Sequence, residues 1–453
     1  MHISGKNILV IGLGISGVST IRALHRLGAL IWVTDTKTEK DLKEVLVALD
    51  DIPIVKVLGS NDVDLSKIDL IIKSPGVPPR ISIIKEAINK GIEVISDIEL
   101  SYRLKMNDNF IAITGTNGKT TTTTLVGDVF KAANFDTHVV GNIGNAILEE
   151  IIDADKADIF VIEASSFQLE HTRYFKPKVS LILNLTPDHI DWHSSYEDYI
   201  KAKKKVLVNQ DKDDFVVLNY DDTLLKSFKD EINANIVWFS INEKLDKGIY
   251  IDDEDIVINN GDKIIRLMSY KEMKLLGRHN LENVLGCVGI CVSMGIDLNI
   301  LKDTIINFKG VEHRIEFVKE LNGIKFYNDS KGTNPEASIK AIEAIPAPII
   351  LIAGGYDKSS EFDELILSFK DKVKTMILLG QTRYKLKESA DRNNFNDCYL
   401  VESLEEAVHL AYKHGQKGDN ILLSPACASW GMFNNFEERG KLFKEAVYRL
   451  GDD

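Results

Sequence analysis

Residues 110–127 read FIAITGTNGKTTTTTLVG, an apolar run followed by glycines, a lysine and a row of hydroxyls. The run 110–113 suits a buried strand. Gly115 and Gly118 let the backbone turn closely around a ligand, where a Cβ would obstruct it. Lys119 and Thr120 follow where a helix opens, and the unpaired N–H groups and positive dipole end of a helix N-terminus suit phosphate. In a P-loop the lysine reaches the outer phosphates and the next hydroxyl holds Mg²⁺. The strict pattern G-x-x-x-x-G-K-[ST] is not met, because Ile113 stands where its first glycine belongs; the shorter T-G-T-N-G-K-T is present. The bland alternative is a strand–helix turn with chance glycines. The stretch points to ATP or GTP held by Gly115, Thr116, Asn117, Gly118, Lys119, Thr120 and Thr121.

Other residues with chemistry sit where further strands should end. Glu163 closes an apolar run and precedes Ala-Ser-Ser-Phe-Gln, ending at Gln168. Asn184 closes another and leads into Thr186-Pro187-Asp188-His189-Ile190-Asp191. A carboxylate at a strand end beside a P-loop is well placed for Mg²⁺, a hard cation that takes oxygen ligands. Imidazole is softer than Mg²⁺ prefers, so His189 reads equally as a turn or capping histidine. Lys201, Lys203, Lys204 and Lys205 read as a solvated basic helix face. Near the N-terminus, NILVIGLGISG is a strand followed by G-x-G-x-x-G, with Asp35 ending the next strand. That is a dinucleotide-binding fingerprint. It fits an NAD-dependent oxidoreductase, the pyrophosphate of a UDP-sugar, or a glycine turn with no ligand.

The elements that must position these residues alternate between strand and helix. In the first unit, strands at 30–34, 70–73 and 93–95 accompany the glycine turn, and residues 18–28 read as a helix. The second unit adds strands at 137–140, 159–163, 179–183 and 215–218 to the P-loop strand, then antiparallel strands over 236–275 with Asn259-Asn260-Gly261 as a hairpin turn. A third begins near Val311, with strands at 324–327, 348–353, 375–379 and 420–423. The expected fold class is α/β with three domains: a Rossmann-like domain over 1–98, a P-loop ATPase-like domain over 99–310 with a parallel sheet plus a small antiparallel sheet, and a Rossmann-like domain over 311–453. Ligand loops then fall at the carboxyl edges of the sheets.

A chain of 453 residues exceeds one ordinary domain. A hydrophobic share of 44% and a charged share of 27% indicate a globular protein with large cores. A net charge of -13 argues against a nucleic-acid backbone as the main partner. Cys287, Cys291, Cys398 and Cys427 form no C-x-x-C pair and read as core thiols of a reducing cytosol. The N-terminus lacks a basic leader, and no run is long enough to span a bilayer.

The motifs in order are GLGISG, SPGV, TGTNGKTT, GNIG, EASSFQLE, TPDHID, YxxAK, GRHNLEN, HRIE, NDSKGTN, GGYDKS and SPACASWGMFNNFEERG. This series, from about residue 7 to residue 450, resembles the Mur ligase family, and most of all its D-glutamate-adding branch. The D-N-P-R motif of the diaminopimelate- or lysine-adding branches is absent, and folylpolyglutamate synthases share the P-loop but lack the first domain. The resemblance implies cytoplasmic peptidoglycan precursor synthesis by a monomeric ligase. ATP would phosphorylate the carboxylate of UDP-N-acetylmuramoyl-L-alanine, and the amine of D-glutamate would displace phosphate.

The same resemblance implies residue roles. Lys119 would hold the β/γ-phosphates, and Thr120, Glu163, His189 and Lys203 would serve Mg²⁺, two ions in all, with Lys203 as a carbamate. Lys119, His189 and Lys203 form the implied catalytic set. UDP, rather than NAD, would lie against Ile15, Ser16, Asp35, Thr36, Ser74, Pro75 and Gly76. Asn142, Ser165 and Gln168 would face the muramoyl-alanine portion, and Asn280, Asn283, Arg314 and Asp329 the nucleotide. Lys331, Thr333, Lys358, Ser429 and Phe436 would receive D-glutamate. Because ATP and amino-acid residues fall on different domains, closure of the third domain onto the second is expected.

Overall fold

The computed structural model describes residues 1–105, 109–275, 277–357 and 360–451. Its contacts divide into two compact units, Met1–Glu272 with Leu281–Ile306, and Met273–Asn280 with Asn307–Asp453. Three sheets carry the described residues.

The first sheet holds β1 (Asn7–Ile11), β2 (Leu30–Asp35), β3 (Ile54–Leu58), β4 (Leu70–Lys73) and β5 (Glu93–Ile95) in the order β3-β2-β1-β4-β5, all parallel. The sequences NILVI and LIIK are apolar nearly throughout because helices cover both faces of the sheet centre. Strand order reverses between β1 and β4, so the loops after these two strands meet at a crevice. The first helix runs Ile15–Arg26, three residues earlier than its sequence reads. Gly17 permits this: a Cβ there would lie 2.0 Å from the Gly12 carbonyl oxygen.

The second sheet contains β6 (Phe110–Thr114), β7 (Thr137–Gly141), β8 (Ile159–Glu163), β9 (Val179–Ile182), β10 (Phe215–Asn219), β11 (Asn235–Ser240), β12 (Gly248–Asp252), β13 (Asp255–Asn259) and β14 (Ile264–Ser269). Their order is β14-β13-β12-β11-β10-β9-β6-β8-β7. The antiparallel reading of 236–275 needs correction at its start: β11 and β12 pair in parallel with β10 and β11, and only β13 and β14 run antiparallel. The hairpin signal belongs to β13–β14, where Gly261 takes φ +96°.

The third sheet contains β15 (Glu316–Leu321), β16 (Ile324–Asn328), β17 (Ile349–Gly354), β18 (Val373–Leu379), β19 (Cys398–Leu400) and β20 (Asn420–Leu423), ordered β15-β16-β20-β17-β18-β19. Only β15 is antiparallel to its neighbour. All four cysteines are free thiols, three of them buried. No helix among the described residues is long and apolar enough to cross a membrane.

Helix Asp97–Lys105 joins the first two sheets through one carboxylate. Glu99 is wholly buried and accepts from the backbone N–H groups of Arg173 (2.8 Å), Tyr174 (2.9 Å) and Phe175 (3.0 Å) and from Arg103 Nε (2.6 Å). Arg103 then grips Glu93 with its two terminal nitrogens, each at 2.7 Å. Removing one partner of such a buried network leaves donors and a charge uncompensated. Glu99→Ala is therefore expected to lower stability by about 3 kcal/mol, read as a shift of the urea midpoint; an unchanged midpoint would contradict this.

Candidate active site

The loop after β6 is held open by its own backbone. Gly118 caps helix Lys119–Ala132 in the left-handed region at φ +86°. A Cβ there would lie 2.1 Å from Asn283 Oδ1, so only glycine lets that side chain close over the loop. Asn184 fixes the other side: its carbonyl accepts from Thr116 N at 2.9 Å and its Oδ1 from Asn117 N at 2.9 Å. The Thr116 hydroxyl shares a 2.7 Å hydrogen bond with the Tyr199 hydroxyl. Lys119 folds back over the turn, donating to the carbonyls of Gly115 and Thr116, each at 2.8 Å. Thr120 and Thr121 are buried in the first helical turn.

Glu163 and Lys203 converge on this loop. Glu163 Oε1 accepts from Asn142 Nδ2 at 2.9 Å, while Oε2 is buried with no hydrogen-bond partner. An unpartnered carboxylate oxygen costs free energy unless a cation reaches it. That oxygen, with the Thr120 hydroxyl on the P-loop helix, fits a hard divalent cation such as Mg²⁺. Among the described residues no cluster of three or more His, Cys, Asp or Glu is arranged to hold a metal, so water or a phosphate must complete any such shell.

Lys203 is 2% exposed rather than on a solvated face. Helix Tyr196–Lys204 turns it inward, and its Nζ donates to Gly115 O at 2.8 Å and Thr114 Oγ1 at 3.1 Å. Burial, with the nearby Lys119 charge adding, holds this amine well below the usual lysine range. His189 precedes helix Ile190–His193 in the left-handed conformation, φ +50°, with no side-chain cap bond, so the capping alternative falls. Its ring lies 4.8 Å from Phe167, in an aromatic group with Trp192 and His193.

The first sheet brings the proposed UDP residues to its crevice. Ile15 opens its helix 87% exposed, and Ser16 follows. Ser74 Oγ donates to Gly12 O at 2.8 Å, tying the two loops together; Pro75 and Gly76 continue the second loop. Asp35 uses both carboxylate oxygens to accept backbone N–H groups, from Leu13 at 2.8 Å and Lys37 at 2.9 Å, and Thr36 beside it is exposed. Asp35 thus braces the glycine turn. Ser165 and Gln168 form a capping box at helix Ser166–Leu169, and Gln168 Nε2 reaches Asp97 at 3.3 Å.

In the second unit, loops at the sheet's carboxyl edge gather the remaining residues. Lys331 Nζ stands 5.8 Å from the Phe436 ring centre. Thr333 N donates to Lys331 O at 2.9 Å, and Ser429 is buried on the loop after β20. Lys358 lies outside the described residues. Asp329 is buried, its Oδ2 accepting from Ser424 Oγ at 2.7 Å; burial pushes its carboxyl up to about 7, against the lowering effects of that bond and of Arg314. Asn280 is the third residue of helix Arg278–Ser293, not its cap.

Two further residues received no role from the sequence, although Arg439 lies within the NNFEERG motif. Arg439 is 1% exposed, with no ion pair among the described residues. It donates to Ser330 Oγ (2.9 Å), Ser330 O (2.7 Å) and Cys427 O (3.1 Å), joining the loops that carry Lys331 and Ser429. His193 Nε2 meets Ser166 Oγ at 2.8 Å, and burial pulls its pKa to about 4. A helical period would mark neither, since their partners arrive through tertiary structure.

A pH dependence follows for Asp329. Its folded pKa is raised, so the stability is present at acid pH and is lost as pH rises from about 4, the unfolded value, through about 7. Between pH 5 and 8 the wild type should lose melting temperature relative to Asp329→Asn; parallel pH profiles would contradict this.

Family models match along the chain: a MurD-like Mur ligase N-terminal domain over 6–96, a Mur ligase middle domain over 113–291, and a Mur ligase glutamate ligase domain over 313–427. The UDP-N-acetylmuramoylalanine–D-glutamate ligase of Clostridioides difficile (strain 630) is 47% identical over 451 residues, covering 99% of this chain and 100% of that protein. That of Alkaliphilus oremlandii (strain OhILAs) is 48% identical with the same coverage. Among solved structures, UDP-N-acetylmuramate–alanine ligase MurC from Thermotoga maritima superposes with a TM-score of 0.61 at 19% identity, covering 98% of this chain and 99% of that one. MurF ligase from the same organism, in complex with ADP, gives 0.57 at 16% identity, covering 98% and 96%. The crevice loops, the P-loop with its converging Glu163 and Lys203, and the third-sheet loops are thus the parts of one three-domain architecture, and the chain belongs to the Mur ligase family, in the branch of the UDP-N-acetylmuramoylalanine–D-glutamate ligases.

Proposed function

We propose that the protein is an ATP-dependent amide ligase that adds D-glutamate to UDP-N-acetylmuramoyl-L-alanine in peptidoglycan precursor synthesis. The observation that carries this reading is the convergence on one P-loop of an unpartnered carboxylate oxygen, Glu163 Oε2, and a buried amine, Lys203 Nζ, in a chain nearly half identical to such ligases. The functional divisions are 1–98 for the UDP-substrate, 99–310 for ATP and 311–453 for the amino acid. The enzyme acts as a cytoplasmic monomer.

The reaction needs an acyl phosphate, then attack by an amine. Both steps gather negative charge, so positioning and cations dominate. Lys119 and the N-terminal amides of its helix receive the β- and γ-phosphates. Mg²⁺, when bound, would supply positive charge against the phosphates. Thr120, Glu163 and His189 hold it, joined by Lys203 as a carbamate. Burial favours the neutral form of this amine, the form that adds to CO₂ with release of a proton; the carbamate product is an anion suited to a cation beside Glu163. The resemblance to the family implies two such ions. Ile15, Ser16, Asp35, Thr36 and residues 74–76 seat UDP, while Asn142, Ser165 and Gln168 line the muramoyl-alanine approach. Asn280, Asn283, Arg314 and Asp329 hold the nucleotide. Lys331, Thr333, Lys358, Ser429 and Phe436 receive D-glutamate, whose two carboxylates call for cationic and hydroxyl donors.

ADP and phosphate should appear only when UDP-N-acetylmuramoyl-L-alanine and D-glutamate are both supplied. Equal turnover with L-lysine or diaminopimelate would move the protein to a sister branch. Lys203→Ala should lose about 10²-fold or more in kcat and recover with added short carboxylic acids. Undiminished activity without them would refute the carbamate.

A further inference from the structure

The substrate loop of the first sheet is tied at both ends to the segment bearing His189 and Lys203. Lys73, the last residue of β4, is 1% exposed. Its ammonium donates to the carbonyls of Ser74 (3.1 Å), Pro75 (3.3 Å) and Val77 (2.7 Å), so its three protons are spent on the loop and none is offered to a phosphate. The carbonyls of the turn thereby face inward. The same Nζ stands 5.0 Å from the ring centre of Trp192, three residues beyond His189. Burial draws its pKa down to about 7, opposed by the charges of Asp97 and Glu170.

At the loop's far end Arg80 spreads its fork over the same segment. Nη1 donates to Ser194 Oγ at 2.7 Å; Nη2 donates to Asp198 Oδ2 at 2.8 Å and to His193 O at 3.4 Å. Asp198 lies in the first turn of helix Tyr196–Lys204, which carries Lys203. Arg80 is 54% exposed, and an exposed ion pair contributes little stability. Misplacing a reacting group by about 1 Å can cost about 10²-fold in rate. Position, not stability, is therefore where these contacts act.

We propose that Lys73 and Arg80 are positioning residues that register the UDP-substrate loop against the 189–203 segment, so that the substrate carboxylate is presented to the P-loop. This rests on the functional reading above. The test is a charge swap between Arg80 and Asp198, whose side chains both reach solvent. Arg80→Asp and Asp198→Arg should each lower kcat by about 10-fold, leaving KM for ATP within about twofold, and the double swap should restore most of the loss. Lys73→Met should weaken binding of UDP-N-acetylmuramoyl-L-alanine by about 10-fold in calorimetry without ATP, and Lys73→Arg less. Single charge variants at wild-type kcat, or a double swap no better than the singles, would overturn the proposal even if Lys73→Met fails to fold. Unchanged substrate binding by a folded Lys73→Met would do the same. A wild type inert toward the substrate pair would remove the functional reading, whereas an active wild type with unaffected variants would remove this proposal alone.

Discussion

A carboxylate oxygen buried without a partner is the constraint on which this site turns. Glu163 Oε2 ends β8 between the P-loop strand and β7, out of reach of water and of every donor among the described residues. The fold commits its neighbour Oε1 to Asn142 and leaves the second oxygen without a hydrogen bond. Lys203 reaches the end of the P-loop strand, donating to the carbonyl of Gly115 and the hydroxyl of Thr114. Carboxylate and amine thus both lie at the strand end from which the P-loop turns. As a free ammonium Lys203 would compete with a divalent ion there; as a carbamate it would add oxygens to it.

Buried positive charge is used elsewhere to shape loops. Lys73 draws three carbonyls of the 74–77 turn onto one ammonium, and Arg439 draws the loops after β16 and β20 together. Neither has a carboxylate within ion-pair distance among the described residues, and burial lowers the pKa of each, Arg439 to about 10. Such charges are costly if unsatisfied, so their carbonyl partners are held firmly. The outcome is two carboxyl-edge regions whose backbone direction is fixed by buried donors.

Much of this was legible from residue order. The buried central strands, the carboxyl-edge loops and the P-loop follow from apolar runs bounded by glycine, and they stand where expected. What escaped were the marginal strands β3, β15 and β19, half-exposed segments such as IVKVL and FVKE whose mixed pattern hides a strand. The early start at Ile15 was hidden because Gly17 reads as a turn residue until its contact with Gly12 is seen. β11 and β12 read as antiparallel because the Asn-Gly turn after them is strong, and parallel pairing leaves no local mark. Lys203 could not be told from its lysine neighbours by composition; helix phase against β6 selects it. Lys73 and Arg80 bind chiefly atoms distant in sequence or plain carbonyls, which no motif encodes; Arg439 lies within NNFEERG, but its carbonyl partners are not legible there.

A divalent cation at Glu163 Oε2 would compensate the charge that this oxygen buries. The direct measurement is the melting temperature of the wild type and of Glu163→Gln, each with and without Mg²⁺. Glutamine keeps the acceptor for Asn142 and removes the charge. The account predicts that without Mg²⁺ the variant melts above the wild type, and that Mg²⁺ raises the wild type while leaving the variant unmoved. An equal Mg²⁺ shift in both proteins would contradict it.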